Sequence, residues 1–304
     1  MRKAVGFLCA VAVFCACGCK INQEKNITVI AREKGSGTRE AFDKVVTDGA
    51  GNFLEMKIDG KKVYKTTLTA TELTKTSFVI SSVANDKNAI GYVSIGALND
   101  SVKTVSIDGV KATAQAVLDG SYSIQRPFVI MTNASVTPTP RTADFLSYLY
   151  SNKAEEHANV AGCIFLSEPT RRSAEGIPVI EYVGHERLPA GDKIIVRGST
   201  SVEKFITSAA KGYADHYGVN ATDVFDIQLE GSSVGRKAVE TDESGNVIGL
   251  SSATIEQENL KTFNVCLDAV AVIVNRANDK IDDLTVGQLY GIYTGKITKF
   301  SEIA

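Results

Sequence analysis

The sequence predicts an α/β fold with mostly parallel sheets, and three observations lead there. Short β-branched runs alternate with helix-period segments along most of the chain. Several of these runs end in a Gly/Ser/Thr turn that opens directly into a helix. At 304 residues, with 44% hydrophobic and 22% charged residues, the chain has the composition of a globular protein with ample core.

Arg2 and Lys3 precede Ala4 to Ala16, thirteen residues without charge. That run is too short to cross a bilayer and suits an export signal. It ends in Cys15-Ala-Cys-Gly-Cys19, small residues followed by cysteine, so Cys17 or Cys19 is the expected lipidation site of a bacterial lipoprotein. Residues 1–19 are read as signal and lipobox, and 20–26 as a polar tether. The formal net charge of −2 becomes −4 once Arg2 and Lys3 are removed. A mildly acidic chain without a basic run is not read as a nucleic-acid binder. Cys163 and Cys266 lie among apolar neighbours and are read as buried thiols; no CxxC pair supports zinc.

The first body segment runs from strand Ile27–Ile30 through Arg32 to Gly35-Ser-Gly-Thr38 and a helix over Arg39–Val46. Unpaired N–H groups and a positive helix end make such a turn an anion site, and Arg32 adds a guanidinium fork. The plainer reading is an ordinary capped turn. Further on, Ser77–Ala84 reads as helix, Ala89–Val93, Val102–Val105 and Phe128–Met131 as strands, Thr137–Pro140 as loop and Thr142–Tyr150 as amphipathic helix. Residues 168–192 are rich in Pro, Gly and charge and read as a connector, with an extra strand over Val179–Val183.

The same grammar then recurs. Strand Ile194–Val196 runs into Gly198-Ser-Thr-Ser201 and a helix whose Val202, Phe205, Ile206, Ala209, Ala210, Tyr213 and Tyr217 share one face. Strand Val224–Leu229 runs into Gly231-Ser-Ser233 and a helix from about Val234. A weaker copy is Val247–Ser252. Near the end, Thr285 caps a helix over Val286–Tyr293. Several hydroxyl-rich helix starts could converge on one small anion.

Catalytic and metal patterns find no support. His157, His185 and His216 are scattered, no HExxH or GxSxG occurs, and Gly295-Lys-Ile-Thr298 lacks the first glycine of a phosphate-binding Walker loop. Asp268, before an apolar strand, is read as a hinge or cap rather than a catalytic acid. The chain is read as a binder, not an enzyme, with no cofactor.

These segments resemble the phosphate-binding subunit of bacterial phosphate ABC importers, whose fold is of the periplasmic-binding-protein type. The resemblance rests on Ile27–Phe42, Asn88–Ser94, Tyr122–Pro127, the GSTSV turn at 198–202, GSSVG at 231–235, IGLSS at 248–252, DAVAVIVN at 268–275 and LTVGQLYGIYTGKIT at 284–298. It implies two lobes with a ligand cleft between them: 27–127 carrying the GSGTR loop, and 128–304 carrying the GSTSV and GSS loops. It implies inorganic phosphate contacts at Arg32, Ser36, Gly37, Thr38, Thr200, Ser201, Ser232 and Ser252. It further implies ABC permease subunits as partners, and an extracytoplasmic, membrane-anchored monomer. An exported phosphoryl-transfer or hydrolytic enzyme and a non-transporting oxyanion sensor are the other readings.

Two residues depart from the family pattern. Ser252 stands where better-studied members carry Asp, and Lys34 where an acidic residue usually pairs with the arginine. The order departs too. The family puts the GSTSV half first, so the chain reads as circularly permuted. The chain ends should then meet at the edge between the lobes, leaving one of the two crossings uncovalent.

Overall fold

The computed structural model describes residues 25–166 and 180–303. The expected signal, Cys17, Cys19, most of the tether and residues 167–179 of the connector lie outside the described residues. Strand β1 (Thr28–Arg32) leads to helix α1 (Gly37–Val45), with the Ser36 side chain accepting from the Arg39 N–H as its cap. A hairpin of β2 (Glu55–Ile58) and β3 (Lys61–Tyr64) follows, then β4 (Thr71–Leu73), α2 (Thr76–Asn85), β5 (Ala89–Ser94), β6 (Val102–Ile107) and α3 (Ala114–Leu118). Next come β7 (Gln125–Asn133), α4 (Pro140–Tyr150), α5 (Lys153–Ala161) and β8 (Ile164–Phe165). Beyond the connector lie β9 (Ile194–Gly198), a short 3-10 turn (Thr200–Val202), α6 (Glu203–His216), α7 (Ala221–Val224), β10 (Phe225–Leu229), α8 (Ser232–Glu240) and β11 (Val247–Ser251). The chain closes with β12 (Leu260–Asn275), β13 (Asp283–Leu284) and α9 (Val286–Tyr293). Thr285 caps α9 in a reciprocal box with Gln288.

Among the described residues eleven strands join one sheet, with main order β10-β9-β11-β7-β12-β5-β1-β4. It is mixed rather than mostly parallel. β1 runs parallel to β4 and β5, and β9 to β10 and β11, but β12 is antiparallel to β5, β6, β7 and β8. The β2–β3 hairpin and the long β12 were not foreseen. The expected strand over Val179–Val183 reduces, among the described residues, to one bridge between Ile180 and Ser151.

The apolar side chains sort into two main cores. One gathers Ile27, Phe42, Tyr92, Ile124, Val274, Leu289 and Tyr293. The other gathers Phe128, Phe145, Phe205, Tyr213, Phe225, Ile248 and Phe263. β7 passes from the first to the second between Ile124 and Phe128. The expectation that all of 128–304 belongs to one lobe is corrected. β12 runs back from Cys266 in the second core to Ala269 in the first, and residues up to Phe300 pack there. The cause is the length of β12, sixteen residues, whose start pairs with β7 and whose end pairs with β5 and β6.

The two chain ends meet. The Ile27 N–H donates to the Thr298 carbonyl at 2.7 Å, and Asn26 bridges to Lys299. They meet inside the first core, where Ile27 and Phe300 are both buried, and not at the edge between the cores. Both crossings, β7 and β12, are covalently continuous, so the expectation of a broken crossing is also corrected. The connector closes on the second core. Tyr182 is buried there with its hydroxyl donating to Asp144 (2.9 Å), and Arg141 donates to the Pro189 carbonyl (3.0 Å). Cys163 and Cys266 are both buried, with Sγ atoms 3.1 Å apart.

Candidate functional site

Four helix starts face one another where the two cores meet: α1 from the first core and α2 from the smaller cluster on the other side of β1 and β5, with the turn before α6 and the start of α8 from the second. α2 and α8 have no side-chain cap. Their first-turn N–H groups and the positive ends of the helices therefore favour an anion nearby.

Hydroxyls meet across the cleft, and Lys204 Nζ donates to the Gly96 carbonyl at its edge. Thr38 Oγ1 and Ser201 Oγ are 2.9 Å apart. Thr76 Oγ1 lies 3.2 Å from Thr200 Oγ1 and 3.5 Å from Ser201 Oγ. Within the second core, Ser252 Oγ lies 2.8 Å from Ser199 Oγ and 3.4 Å from Ser232 Oγ, and its N–H donates to Ser232 Oγ at 3.2 Å. Gly37 is where the backbones come closest. A Cβ there would sit 2.6 Å from the carbonyl carbon of Ser252, so no side chain fits while the cores are in contact.

Arg32 is 2% exposed and held in one orientation. Its Nε and Nη2 bond both oxygens of Glu33 (3.0 and 3.1 Å) and the carbonyls of Leu73 and Thr74 (3.2 and 3.0 Å). That leaves Nη1 toward the hydroxyls of Thr76 (3.2 Å) and Thr38 (3.5 Å). The carboxylate missing at position 34 is thus supplied one residue earlier. Lys34 lies instead over the Tyr64 ring, 5.4 Å from its centre. Burial raises the Glu33 pKa, and the neighbouring Arg32 opposes that rise.

The structure brings together all eight residues expected to contact the ligand. Ser36 takes part as the cap of α1, and its hydroxyl is engaged by the Arg39 N–H at 3.4 Å. Sequence reasoning missed Thr76, Ser199 and Glu33. It also missed the buried pair beneath them, in which Asp268 accepts from Arg126 Nε (3.1 Å) and Nη2 (2.9 Å) and from Ser94 (2.7 Å). Asp268 lies where β12 passes between the cores. Thr76 carried no signal, because Lys75 before it is not a capping residue. Ser199 and Glu33 were within reach, as immediate neighbours of chosen positions.

Two cavities flank the cluster. One of about 260 Å³ is lined by Thr76, Ile80, Asn99, Thr200, Ser201 and Lys204. The other, about 90 Å³, is lined by Ser36, Arg39, Tyr64, Ser232 and Ser251 among others. Among the described residues no cluster of His, Cys, Asp and Glu side chains could hold a metal ion, and no helix is long and apolar enough to cross a membrane.

Comparison with known proteins gives concordant results. The model of the PBP superfamily domain matches residues 19–153 and 183–303. The phosphate-binding protein PstS 2 of Streptococcus pneumoniae is 34% identical over 281 residues, covering 91% of this chain and 87% of its own. The protein of the same name from Streptococcus agalactiae is 31% identical over 307 residues, covering 99% of this chain and 96% of its own. The crystal structure of a phosphate-binding protein of a phosphate ABC transporter from Streptococcus pneumoniae matches with a TM-score of 0.66 and 33% identity. That match covers 92% of this chain and all of the other.

Proposed function

The chain belongs to the PBP superfamily, and on that premise we propose that it captures inorganic phosphate between its two cores and delivers it to an ABC permease. The observation that carries this reading is the convergence of hydroxyl-bearing helix starts from both cores on Arg32 Nη1. Phosphate offers several acceptor oxygens and, near neutral pH, a proton as well. Serine and threonine hydroxyls both donate and accept, so they suit such a ligand. Arg32, Thr38, Thr76, Thr200, Ser201, Ser232 and Ser252 are the proposed contacts, with the backbone of Ser36 and Gly37. Isothermal titration with phosphate, arsenate and sulfate tests this. Saturable phosphate binding is expected, and its absence would refute the reading.

Binding without turnover fits the bonding of the cluster. A hydroxyl nucleophile needs an adjacent base, and the hydroxyls of Thr38, Thr76, Thr200, Ser201, Ser232 and Ser252 bond to one another, to Arg32 or to backbone. The expected signal supports an exported, lipid-anchored protein. Separate Cys17→Ala and Cys19→Ala changes should differ, with one of them releasing the protein from membranes. A cleft completed within one chain supports a monomer.

We further propose that the halves stand in circularly permuted order relative to the family's usual one. The pairing of Ile27 with Thr298 and the closure of the connector on the second core support this. A chain opened within 168–192, with residue 303 joined to residue 25 by a short linker, should fold and bind phosphate within about threefold of the parent. Failure of that chain to fold would count against the permutation.

A further inference from the structure

One buried charge is only half used by its partner. Asp268 engages Arg126 through Nε and Nη2 and takes a third hydrogen bond from Ser94. Arg126 is 3% exposed, yet its Nη1 has no hydrogen-bond partner. A buried N–H of a charged group is costly to leave unpaired.

The place of this group gives the clue. Arg126 opens β7 at the crossing between the cores. It alternates onto the same strand face as Phe128 and Ile130, which pack in the second core with Val202 of the turn that carries Thr200 and Ser201. Its carboxylate partner is tied through Ser94 to the end of β5. Two residues back on that strand, the Tyr92 hydroxyl accepts from the Arg32 N–H at 3.1 Å. β1 and β5 are parallel neighbours, paired at Val29 and Ile90, so Arg32 and Ser94 end adjacent strands on the same side of the sheet. Burial lowers the Arg126 pKa, Arg32 adds to the lowering, and Asp268 opposes it. Arg32 and Arg126 are thus both buried, and each is held by its own carboxylate.

We infer that Arg126 is a second guanidinium of the anion site, with Nη1 donating to an oxygen of the bound oxyanion from the floor of the cleft. The inference rests on the oxyanion reading above. Arg32 and the hydroxyls hold the ligand from the walls, and Arg126 meets it where both crossing strands lie. The ligand class is a tetrahedral oxyanion with enough charge and free oxygens to bridge two guanidinium groups. Asp268 is a positioning residue that fixes the fork and leaves one edge of it open.

The test is calorimetric titration of inorganic phosphate into the full chain, wild type and variants, with the ligand-free unfolding midpoint of each. Arg126→Met combined with Asp268→Leu removes the pair without stranding a carboxylate. This double variant is expected to unfold near the wild-type midpoint and to lose phosphate affinity by about 30-fold or more. Arg126→Lys keeps the charge but not the fork and should lose about tenfold. A folded double variant with wild-type affinity would confine the pair to a structural role and overturn the inference. If the double variant does not fold, Arg126→Lys decides, and unchanged affinity there overturns it equally. A wild type that ignores phosphate but binds sulfate or arsenate refutes the phosphate reading alone, and the same variants are then read on that anion. A wild type that binds no oxyanion overturns both.

Discussion

Arg32, braced by Glu33, faces a wall of the second core rich in hydroxyls: Ser199, Thr200, Ser201, Ser232 and Ser252. Both walls are strand ends running into helix starts, but their chemistry differs. The guanidinium is fixed by a bidentate carboxylate and two backbone carbonyls, so its direction is set before any ligand arrives. The hydroxyl wall has rotors that can donate or accept as the partner requires. The hydroxyl contacts across the cleft, Thr38 to Ser201 and Thr76 to Thr200, are neutral pairs. Neutral pairs cost less to separate than buried ion pairs. The comparison teaches a division of labour: one wall supplies fixed charge, the other supplies adaptable contacts that can open.

The largest effect should come from removing the fixed charge. Arg32→Ala is expected to weaken oxyanion binding by about 2–5 kcal/mol, while Arg276→Ala, a change at an exposed arginine, leaves it unchanged. Titration of both variants checks this, and equal affinity for Arg32→Ala and the wild type would remove the charged wall from the site. Next in size is the approach of the walls. At Gly37 an added Cβ would collide with the Ser252 backbone. Gly37→Ala should therefore cost about 1–3 kcal/mol of binding while leaving ligand-free stability nearly unchanged. An equal loss of stability in the absence of ligand would mean the contact serves the fold rather than closure.

Most of the local elements were legible in the sequence. The α9 bounds and cap agree with the reading, and the apolar face read from Val202 to Tyr217 is buried as far as Tyr213, with Tyr217 half-buried. Turn chemistry and helix period are local signals, and they survived. What was not legible depends on residues far apart. Arg126 and Asp268 are 142 positions apart; the first lies just before a segment that reads as strand, and the second reads as a hinge or cap, so nothing local joins them. The return of 269–303 to the first core is likewise set by the pairing of β12, which no local pattern reveals. Glu33 is the acidic partner of Arg32, one position before Lys34. A shift of one position reversed the inference about the arginine's partner.

The adaptable wall offers a smaller and more selective effect. Ser252 is fully buried among Ser199 and Ser232. A carboxylate there would accept hydrogen bonds and repel a ligand that has no proton to give. Ser252→Asp is expected to raise the preference for phosphate over sulfate by about tenfold, near 1.4 kcal/mol. Competition titrations give the ratio, and a ratio that does not rise would show that selectivity is set elsewhere.

The smallest predicted effect concerns what the charged wall costs its own core. Asp43 on α1 is 1% exposed. One of its oxygens accepts from Arg39 Nε at 3.0 Å, and the other has no partner. Burial pushes its pKa up to about 7, against the pull of Arg39. The same Arg39 donates to the Arg32 carbonyl (2.8 Å) and to Glu72, so the group sits directly behind the site. Because the folded state holds this proton to higher pH than the unfolded chain, the stabilisation is complete below the ordinary value of 3.8. It is lost as pH rises through about 7. Asp43→Asn keeps an acceptor for Arg39 and removes the titration. Between pH 5 and pH 8 the unfolding midpoint of the wild type should therefore fall further than that of the variant. A contribution of order 1 kcal/mol corresponds to about 2–4 °C in a protein of this size. Parallel pH profiles for the two proteins would show that Asp43 is ionised at little cost, and that the charged wall is no more pH-sensitive than the hydroxyl one.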